Sequence, residues 1–148
     1  MRTSTAVLTA GVAVAAVGVA QLVQKDRQHK QTINAALSGI QIDWLSRASS
    51  DPLEAKFWAP EGIEPEQYQR MLSGNRMLCQ LSLRWRVGLV TRRQLALYAD
   101  DLMTHATCRD YWERFGSYRE SEALGNKRDE TFNRAIRNAY DRAMSLAE

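Results

Sequence analysis

An uncharged stretch near the beginning of the chain limits what the whole sequence can fold into. Residues 6–23 read AVLTAGVAVAAVGVAQLV, in which Thr9 and Gln21 are the only polar side chains. As a helix these residues extend about 27 Å, close to the roughly 30 Å hydrocarbon core of a bilayer. We therefore predict a transmembrane anchor over residues 1–24 and a separate soluble domain over residues 25–148.

A secretory signal peptide is the alternative interpretation of the same stretch. One charged residue, Arg2, precedes it, and Gly18-Val19-Ala20 forms a small-residue exit before Gln21. These features are typical of a cleaved leader. We favour the uncleaved anchor, and the alternative is a protein secreted after cleavage.

The charges beside the stretch predict the side of the membrane on which the domain lies. Arg2 precedes the stretch, whereas Lys25, Arg27 and Lys30 follow it. Because lysine and arginine accumulate on the cytoplasmic side, this distribution favours a single-pass protein of the cell membrane with a cytoplasmic domain.

Two cysteines, Cys79 and Cys108, leave the compartment open. They could form one disulfide outside the cell or remain two buried thiols inside it. Their neighbourhoods have the pattern of helix interiors, so we interpret both as small buried apolar residues.

Three small residues in the apolar stretch suggest how two copies of the chain could associate. Gly11, Ala15 and Gly18 fall on one helix face, a spacing that lets membrane helices approach closely. A segment rich in alanine and glycine also produces such a face by chance. A homo-oligomer is therefore an open expectation.

The remainder of the chain has helical periodicity, and strand signals are almost absent. Ile33, Leu37, Ile40 and Trp44 are spaced by four, three and four and fall on one stripe of a helix over residues 25–48. No proline or capping signal separates this helix from the apolar stretch, so the two are predicted to be continuous.

Start and stop signals divide the later residues into further helices. The predictions are a helix from Pro52 to Trp58 capped by Asp51, one from Pro65 to about Leu89, one opened by a Thr91 and Gln94 capping box, one around Arg109 to Tyr118, and a last one capped by Asp129 after a Gly125-Asn126 turn. Short connections favour antiparallel neighbours, so we predict an all-α bundle of about five helices behind the N-terminal transmembrane helix.

The large apolar side chains of these helices recur at helical spacing. Leu95, Tyr98 and Leu102 form one stripe, and Phe132 and Ile136 belong to another. Large rings dominate burial in small domains, so we interpret these side chains as core.

Several short elements together resemble the DUF6082 family of uncharacterised actinobacterial proteins. They are the N-terminal hydrophobic helix and the aliphatic stripe after it, Asp51-Pro52-Leu53 leading to Trp58, Asn75, Tyr111-Trp112-Glu113-Arg114 followed by Arg119, and Phe132 in the closing helix. The resemblance implies a small helical protein that is often membrane-tethered. It implies no activity, because the function of the family is unknown.

An arginine cluster is the first candidate binding feature. Arg84, Arg86, Arg92 and Arg93 lie within ten residues around a turn between two helices, and no acidic residue lies between Glu66 and Asp100. Anionic lipid headgroups, or phosphate on a nucleic acid or partner, would suit such a cluster. The alternative is an ordinary solvated face paired with acidic residues of other helices.

A second candidate is a recognition face made by Trp112, Arg114 and Arg119. Arginine and tryptophan are favoured at the centres of interfaces, so this face would bind an anion or a peptide. The alternative places Trp112 in the core, with its charged neighbours exposed.

Catalytic and metal-binding signals are weak. His105 and Cys108 are three residues apart, which resembles half of a metal site or a nucleophile–base pair, but no second ligand pair accompanies them. We predict no enzyme, no cofactor and no metal, and interpret His105 as a helix-end residue.

These observations favour a membrane-tethered helical module that binds an unknown protein partner at the cytoplasmic membrane. The alternative function is binding of anionic ligands, such as lipid headgroups or nucleic-acid phosphate, through the arginine cluster. The formal net charge of +3 argues against nucleic acid, because nucleic-acid-binding domains usually have a larger basic excess.

Overall fold

A computed structural model describes the backbone of residues 2–146 and the side chains of Gln21 and residues 23–146. The described part of the chain contains six helices and no strand: α1 Arg2–Ser50, α2 Pro52–Trp58, α3 Pro65–Arg86, α4 Arg92–Thr104, α5 Ala106–Glu122 and α6 Lys127–Ser145. The predicted all-α class, with about five helices after the N-terminal one, is confirmed.

The chain divides into two compact units, residues 1–37 and residues 38–148. Among the described residues, no helix is both long enough and apolar enough to cross a membrane. Most side chains of the predicted anchor, including the face of Gly11, Ala15 and Gly18, lie outside the described residues.

The unit of residues 38–148, called the helical unit below, contains one main apolar core. Trp112, Phe132, Leu78, Leu95 and Ile136 are each at most 2 % exposed. They come from α3, α4, α5 and α6, so four helices contribute to the same core. The prediction that the large apolar side chains of these helices form the core is confirmed at these positions.

Three of the four residues of the apolar stripe predicted on the first helix are exposed, whereas the fourth, Trp44, is half-buried and packs against the cluster of Leu45 and Ala48. Ile33, Leu37 and Ile40 are 45 %, 59 % and 66 % exposed. The side chains of α1 that are buried against α3 are instead Leu45 and Ala48. Periodicity identifies an apolar face of a helix, but only the packing of neighbouring helices decides which face is covered.

Local capping signals give two of the helix starts correctly. Asp51 accepts a hydrogen bond from the backbone N–H of Leu53 at 2.8 Å, with Pro52 in the first turn of α2. Thr91 and Gln94 form the predicted capping box at the start of α4. Each signal consists of residues within one helical turn of each other, so it does not depend on tertiary contacts.

Three predicted boundaries need correction. Helix α3 ends at Arg86 rather than Leu89, because Gly88 adopts a left-handed φ of 82° that reverses the chain. Helix α5 is longer at both ends than residues 109–118. Helix α6 is capped by Asn126, whose side chain accepts from the backbone N–H groups of Arg128 and Asp129.

The connections of the helical unit bring two turns to the same end of the bundle. The indole Nε1 of Trp85 donates to the carbonyl of Arg128 at 2.9 Å, and Nη2 of Arg128 donates to the carbonyl of Trp85 at 2.9 Å. The end of α3 therefore meets the start of α6. The α3–α4 turn and the α5–α6 turn lie together at this end.

Candidate anion-binding pocket

A pocket of about 370 Å³ lies within the helical unit, between helices α1, α3, α5 and α6. Its lining includes six polar side chains from α3, α5 and α6: Asn75, Cys79, Tyr111, Arg119, Glu122 and Asn133. We refer to it as the Arg119 pocket.

Helical spacing places four of these side chains on facing surfaces. Asn75 and Cys79 are four residues apart on α3, and Tyr111 and Arg119 are two turns apart on α5. The Arg119 nitrogen Nη1 donates to Asn75 Oδ1 at 3.0 Å and to the Tyr111 hydroxyl oxygen at 3.4 Å. It also lies 3.9 Å from Cys79 Sγ. These contacts fix the guanidinium at the pocket wall.

The hydrogen bonds of Arg119 to described residues all use one nitrogen. Its Nε and Nη2 atoms, the parallel pair of donors that binds carboxylate and phosphate oxygens, have no acceptor among the described side chains. Trp112 Nε1 is the only fully buried side-chain polar atom in the described part without a partner. The two donors of Arg119 that have no acceptor are therefore not fully buried, and Arg119 is part of the pocket lining.

Arg137 shows how the same pair of donors behaves when a protein acceptor is present. Its Nε donates to Glu120 Oε1 at 3.1 Å and its Nη2 donates to Glu120 Oε2 at 2.8 Å. Arg119 has no carboxylate within 4.0 Å among the described residues. The Nε and Nη2 donors of Arg137 are therefore occupied, whereas those of Arg119 have no acceptor among the described residues.

The other charged residues of the pocket do not neutralise Arg119 directly. Arg86 is paired with Asp129 at 2.8 Å. Glu122 is exposed and interacts with the Tyr118 hydroxyl, an interaction that raises the pKa of Tyr118. Arg119 is therefore the cation of the described pocket lining that has no ion pair.

The protonation states around Arg119 are well defined at neutral pH. Burial acts to lower the pKa of the Arg119 guanidinium, but the neighbouring Tyr111 and Cys79 more than offset this, and the pKa is raised. Burial also raises the pKa of the Tyr111 hydroxyl, against the opposing effect of Arg119. Arg119 is a cation here, and neutral Tyr111 keeps an O–H that can donate to a ligand.

The remaining predicted site residues lie in different surroundings. Arg84 is over the Tyr98 ring at 5.1 Å, and Arg92 and Arg93 are exposed at the start of α4. Arg114 is exposed, whereas Trp112 is completely buried. A buried ring contacts the core and not a partner, so of the predicted recognition face only Arg119 reaches the pocket.

His105 and Cys108 also lie in different surroundings. His105 is exposed at the junction of α4 and α5, and Cys108 is completely buried. Burial raises the pKa of the Cys108 thiol to about 11. Neither cysteine forms a disulfide in the structure, and both are buried, as the interpretation of small apolar residues predicts.

Asn75, Tyr111 and Asn133 line the pocket, although no sequence motif points to them as binding residues. Asn133 is only 5 % exposed, and its amide donates to the carbonyl of Arg119 at 2.8 Å. The sequence feature that points to such residues is an asparagine among apolar positions of a helix, because a buried amide needs a hydrogen-bond partner. Asn75 and Asn133 both fit that description.

A comparison with protein families agrees with the resemblance drawn from sequence. The family model described as "Family of unknown function (DUF6082)" matches residues 1–148, the whole chain. The chain therefore belongs to this family. No curated protein and no solved structure matches the chain.

Proposed function

We propose that this member of the DUF6082 family is a membrane-tethered helical module that binds a small acidic ligand in the Arg119 pocket. The observation that supports ligand binding is the open Nε and Nη2 pair of Arg119 beside the occupied pair of Arg137. Arginine binds carboxylate and phosphate groups through these two parallel donors. Two oxygens of the ligand would accept from Nε and Nη2 of Arg119, as the two carboxylate oxygens of Glu120 accept from Arg137.

The pocket suits a small organic acid rather than a bare ion. Its volume of about 370 Å³ falls within the range of small-molecule sites, roughly 300–1,000 Å³. Tyr118 provides aromatic surface in the lining, and Asn75 and Tyr111 provide polar groups. We therefore assign the site to ligands that combine an acidic group with an apolar or aromatic body.

Titration calorimetry with two matched probes tests this function. Benzoate and phenyl phosphate share a phenyl ring and differ in the acidic group, so the pair distinguishes carboxylate from phosphate. The full chain would be purified in a maltoside detergent, which carries no anionic group. We expect one of the probes to bind with a stoichiometry of one per chain.

Variants then assign the binding to Arg119. Arg119→Lys keeps the positive charge but loses the paired donors, so affinity should fall about tenfold or more. Arg114→Ala removes an exposed arginine of the same helix and should leave the affinity unchanged. Absence of binding by both probes, or equal binding by Arg119→Lys and the parent chain, would contradict the proposal.

The membrane tether is a separate part of the proposal, and its support is the uncharged sequence of residues 6–23. Retention of the protein in the membrane fraction after alkaline extraction, with a C-terminal reporter active only in the cytoplasm, would support a tether and a cytoplasmic helical unit. Release of a shortened form from the cell would instead support a cleaved leader.

A protein partner is the second candidate function, and exposed apolar residues of α2 favour it. Leu53 and Phe57 are both 78 % exposed and lie four residues apart on one face. A photocrosslinker at Phe57 should capture one protein, whereas a crosslinker at exposed Arg134 on α6 should not. Crosslinking to no protein, or equally from both positions, would remove this candidate.

A further inference from the structure

Two exposed leucines lie at the end of the helical unit where the α3–α4 and α5–α6 turns meet. Leu89 is 70 % exposed and Leu124 is 76 % exposed. Each is next to a glycine with a left-handed φ, Gly88 at 82° and Gly125 at 85°. These glycines reverse the chain so that a large apolar side chain is presented to solvent at the tip of each turn.

Basic residues are frequent in the two segments that carry these leucines. Residues 84–93 and 122–130, which form the two turns and the adjoining helix ends, contain six basic and three acidic residues. The basic residues are all exposed: Arg84, Arg86, Arg92, Arg93, Lys127 and Arg128. We call these two segments the basic end of the helical unit.

Two of the three acidic residues at the basic end already have partners. Asp129 is paired with Arg86, and Glu130 accepts a hydrogen bond from the backbone N–H of Gly125 at 2.9 Å. Arg92 and Arg93 have no ion pair among the described residues. They also occupy the start of α4, where positive charge opposes the helix dipole. Helix stability therefore does not explain their presence.

The opposite end of the helical unit has the opposite charge. Residues 51–66, which contain α2 and lead into α3, carry five acidic residues and one basic residue, Lys56. Because α3 runs from this segment to the basic end, the charges are separated along the length of the bundle. The formal net charge of +3 for the whole chain conceals this separation.

The chain enters the helical unit on the side of the basic end. Ser38, the first residue of the unit, lines the Arg119 pocket together with Leu83 and Arg86 near the end of α3. Further along α1, the carbonyl of Ser49 accepts from Gln69 near the start of α3 at 2.9 Å. Within the unit, α1 and α3 are therefore antiparallel, and Ser38 lies on the side of the basic end.

We propose that the basic end binds the surface of a bilayer that contains anionic lipid. Arginines and lysines attract the headgroups, and Leu89 and Leu124 enter the interface between headgroups and acyl chains. Exposed leucines in segments rich in basic residues suit such a surface, because membrane binding increases with the apolar area buried and with the attraction of anionic lipids for positive charge. Arg86, Glu122 and Asp129 belong both to the basic end and to the pocket lining, but Arg119, Leu89 and Leu124 each belong to one of them alone, so the two proposals are tested at different residues.

A polarity-sensitive fluorophore on Leu89→Cys tests the proposal in the full chain. Both native cysteines are buried, so the labelled parent chain provides the background. The protein would be placed in vesicles of phosphatidylcholine alone or of phosphatidylcholine with phosphatidylglycerol. We expect a blue shift of the emission only in the anionic vesicles, and its loss at high salt because the attraction is screened.

Two controls make the result specific. The same fluorophore on Leu53→Cys, an equally exposed leucine at the acidic end, should show no shift. Arg92→Glu with Arg93→Glu should abolish the shift at Leu89, and the fold is expected to persist because acidic residues suit the first turn of a helix. Arg114→Glu with Arg134→Glu makes the same change of charge elsewhere and should leave the shift intact.

Three outcomes would overturn the proposal. They are no shift in anionic vesicles, an equal shift at Leu53→Cys, and a shift that survives the reversal of Arg92 and Arg93. A blue shift produced by heparin in the absence of vesicles would assign the basic end to a soluble polyanion instead of a membrane.

Discussion

At the scale of single residues, the function of an arginine here depends on what faces its Nε and Nη2 atoms. Arg137 faces Glu120 and forms a salt bridge, whereas Arg119 faces a pocket. The sequence predicts that Arg119 belongs to a binding site, but it groups Arg119 with Trp112 and Arg114. The alternative interpretation, with Trp112 in the core and its charged neighbours exposed, is confirmed for Trp112 and Arg114, whereas Arg119 is half-buried and lines the pocket.

The carboxylate of Glu122 provides a test of the electrostatics of the pocket. Glu122 lines the pocket and repels an anionic ligand, a repulsion on the order of 1 kcal/mol near a protein surface. We therefore expect Glu122→Gln to tighten binding of the probe that calorimetry identifies by about threefold to tenfold. Glu113→Gln, on the same helix and exposed, is the matched control and should leave the affinity unchanged. Weaker binding by Glu122→Gln would mean that Glu122 contacts a positive group of the ligand.

The buried thiol of Cys108 predicts how stability depends on pH. Burial raises its pKa to about 11 from an ordinary value of 9.0. As the pH rises from about 9 to about 11, the unfolded thiol loses its proton while the folded thiol keeps it, so the free energy of unfolding should fall. Urea unfolding of the parent chain and of Cys108→Ala at several pH values measures this dependence. The decline should be shallower in Cys108→Ala, and identical declines would contradict the assignment.

At the scale of helices, the sequence predicts those features that depend on neighbouring residues. The starts of α2 and α4 follow from Asp51-Pro52 and from the Thr91 and Gln94 pair. The start of α6 does not, because Asn126 and Asp129 can both cap a helix. In the structure Asn126 is the cap, and Asp129 lies in the first turn, where it accepts from the Asn126 amide and pairs with Arg86 of α3.

The crossing of α3 and α5 depends on a glycine. A Cβ atom at Gly74 would lie 2.2 Å from the backbone oxygen of Thr107, which cannot move aside as a side chain could. We expect Gly74→Ala to lower the free energy of unfolding by about 2–3 kcal/mol or more, because the two helices must separate. Chemical denaturation followed by circular dichroism measures the change.

Gly39 is the matched control for this substitution. It also lies within a helix, but a Cβ atom there would meet nothing within 4 Å. Gly39→Ala should therefore stabilise the protein by about 0.5–1 kcal/mol, the usual preference of helix interiors for alanine. Equal effects of the two substitutions would mean that α3 and α5 do not approach as described.

At the scale of the whole molecule, the all-α class and the family follow from sequence, while the pocket does not. The class follows from periodicity along each helix, and the family from short motifs over most of the chain. The Arg119 pocket requires side chains from α1, α3, α5 and α6 to be brought together, and no spacing within one helix encodes that arrangement. The same holds for the basic end, which combines two segments about thirty residues apart.

Nuclear magnetic resonance of arginine side chains tests at the atoms themselves whether Arg119 holds an acidic ligand through Nε and Nη2. The Nε–H signal of Arg119 would be followed in the full chain during titration with benzoate and then phenyl phosphate. With one probe, we expect this signal to shift and its exchange with solvent to slow, while the Nε–H of Arg137, already bound to Glu120, stays unchanged. An unmoved Arg119 signal with both probes would contradict ligand binding by Arg119. Equal shifts of the exposed Arg92 and Arg93 signals would contradict it as well, because binding would then not be specific to the pocket.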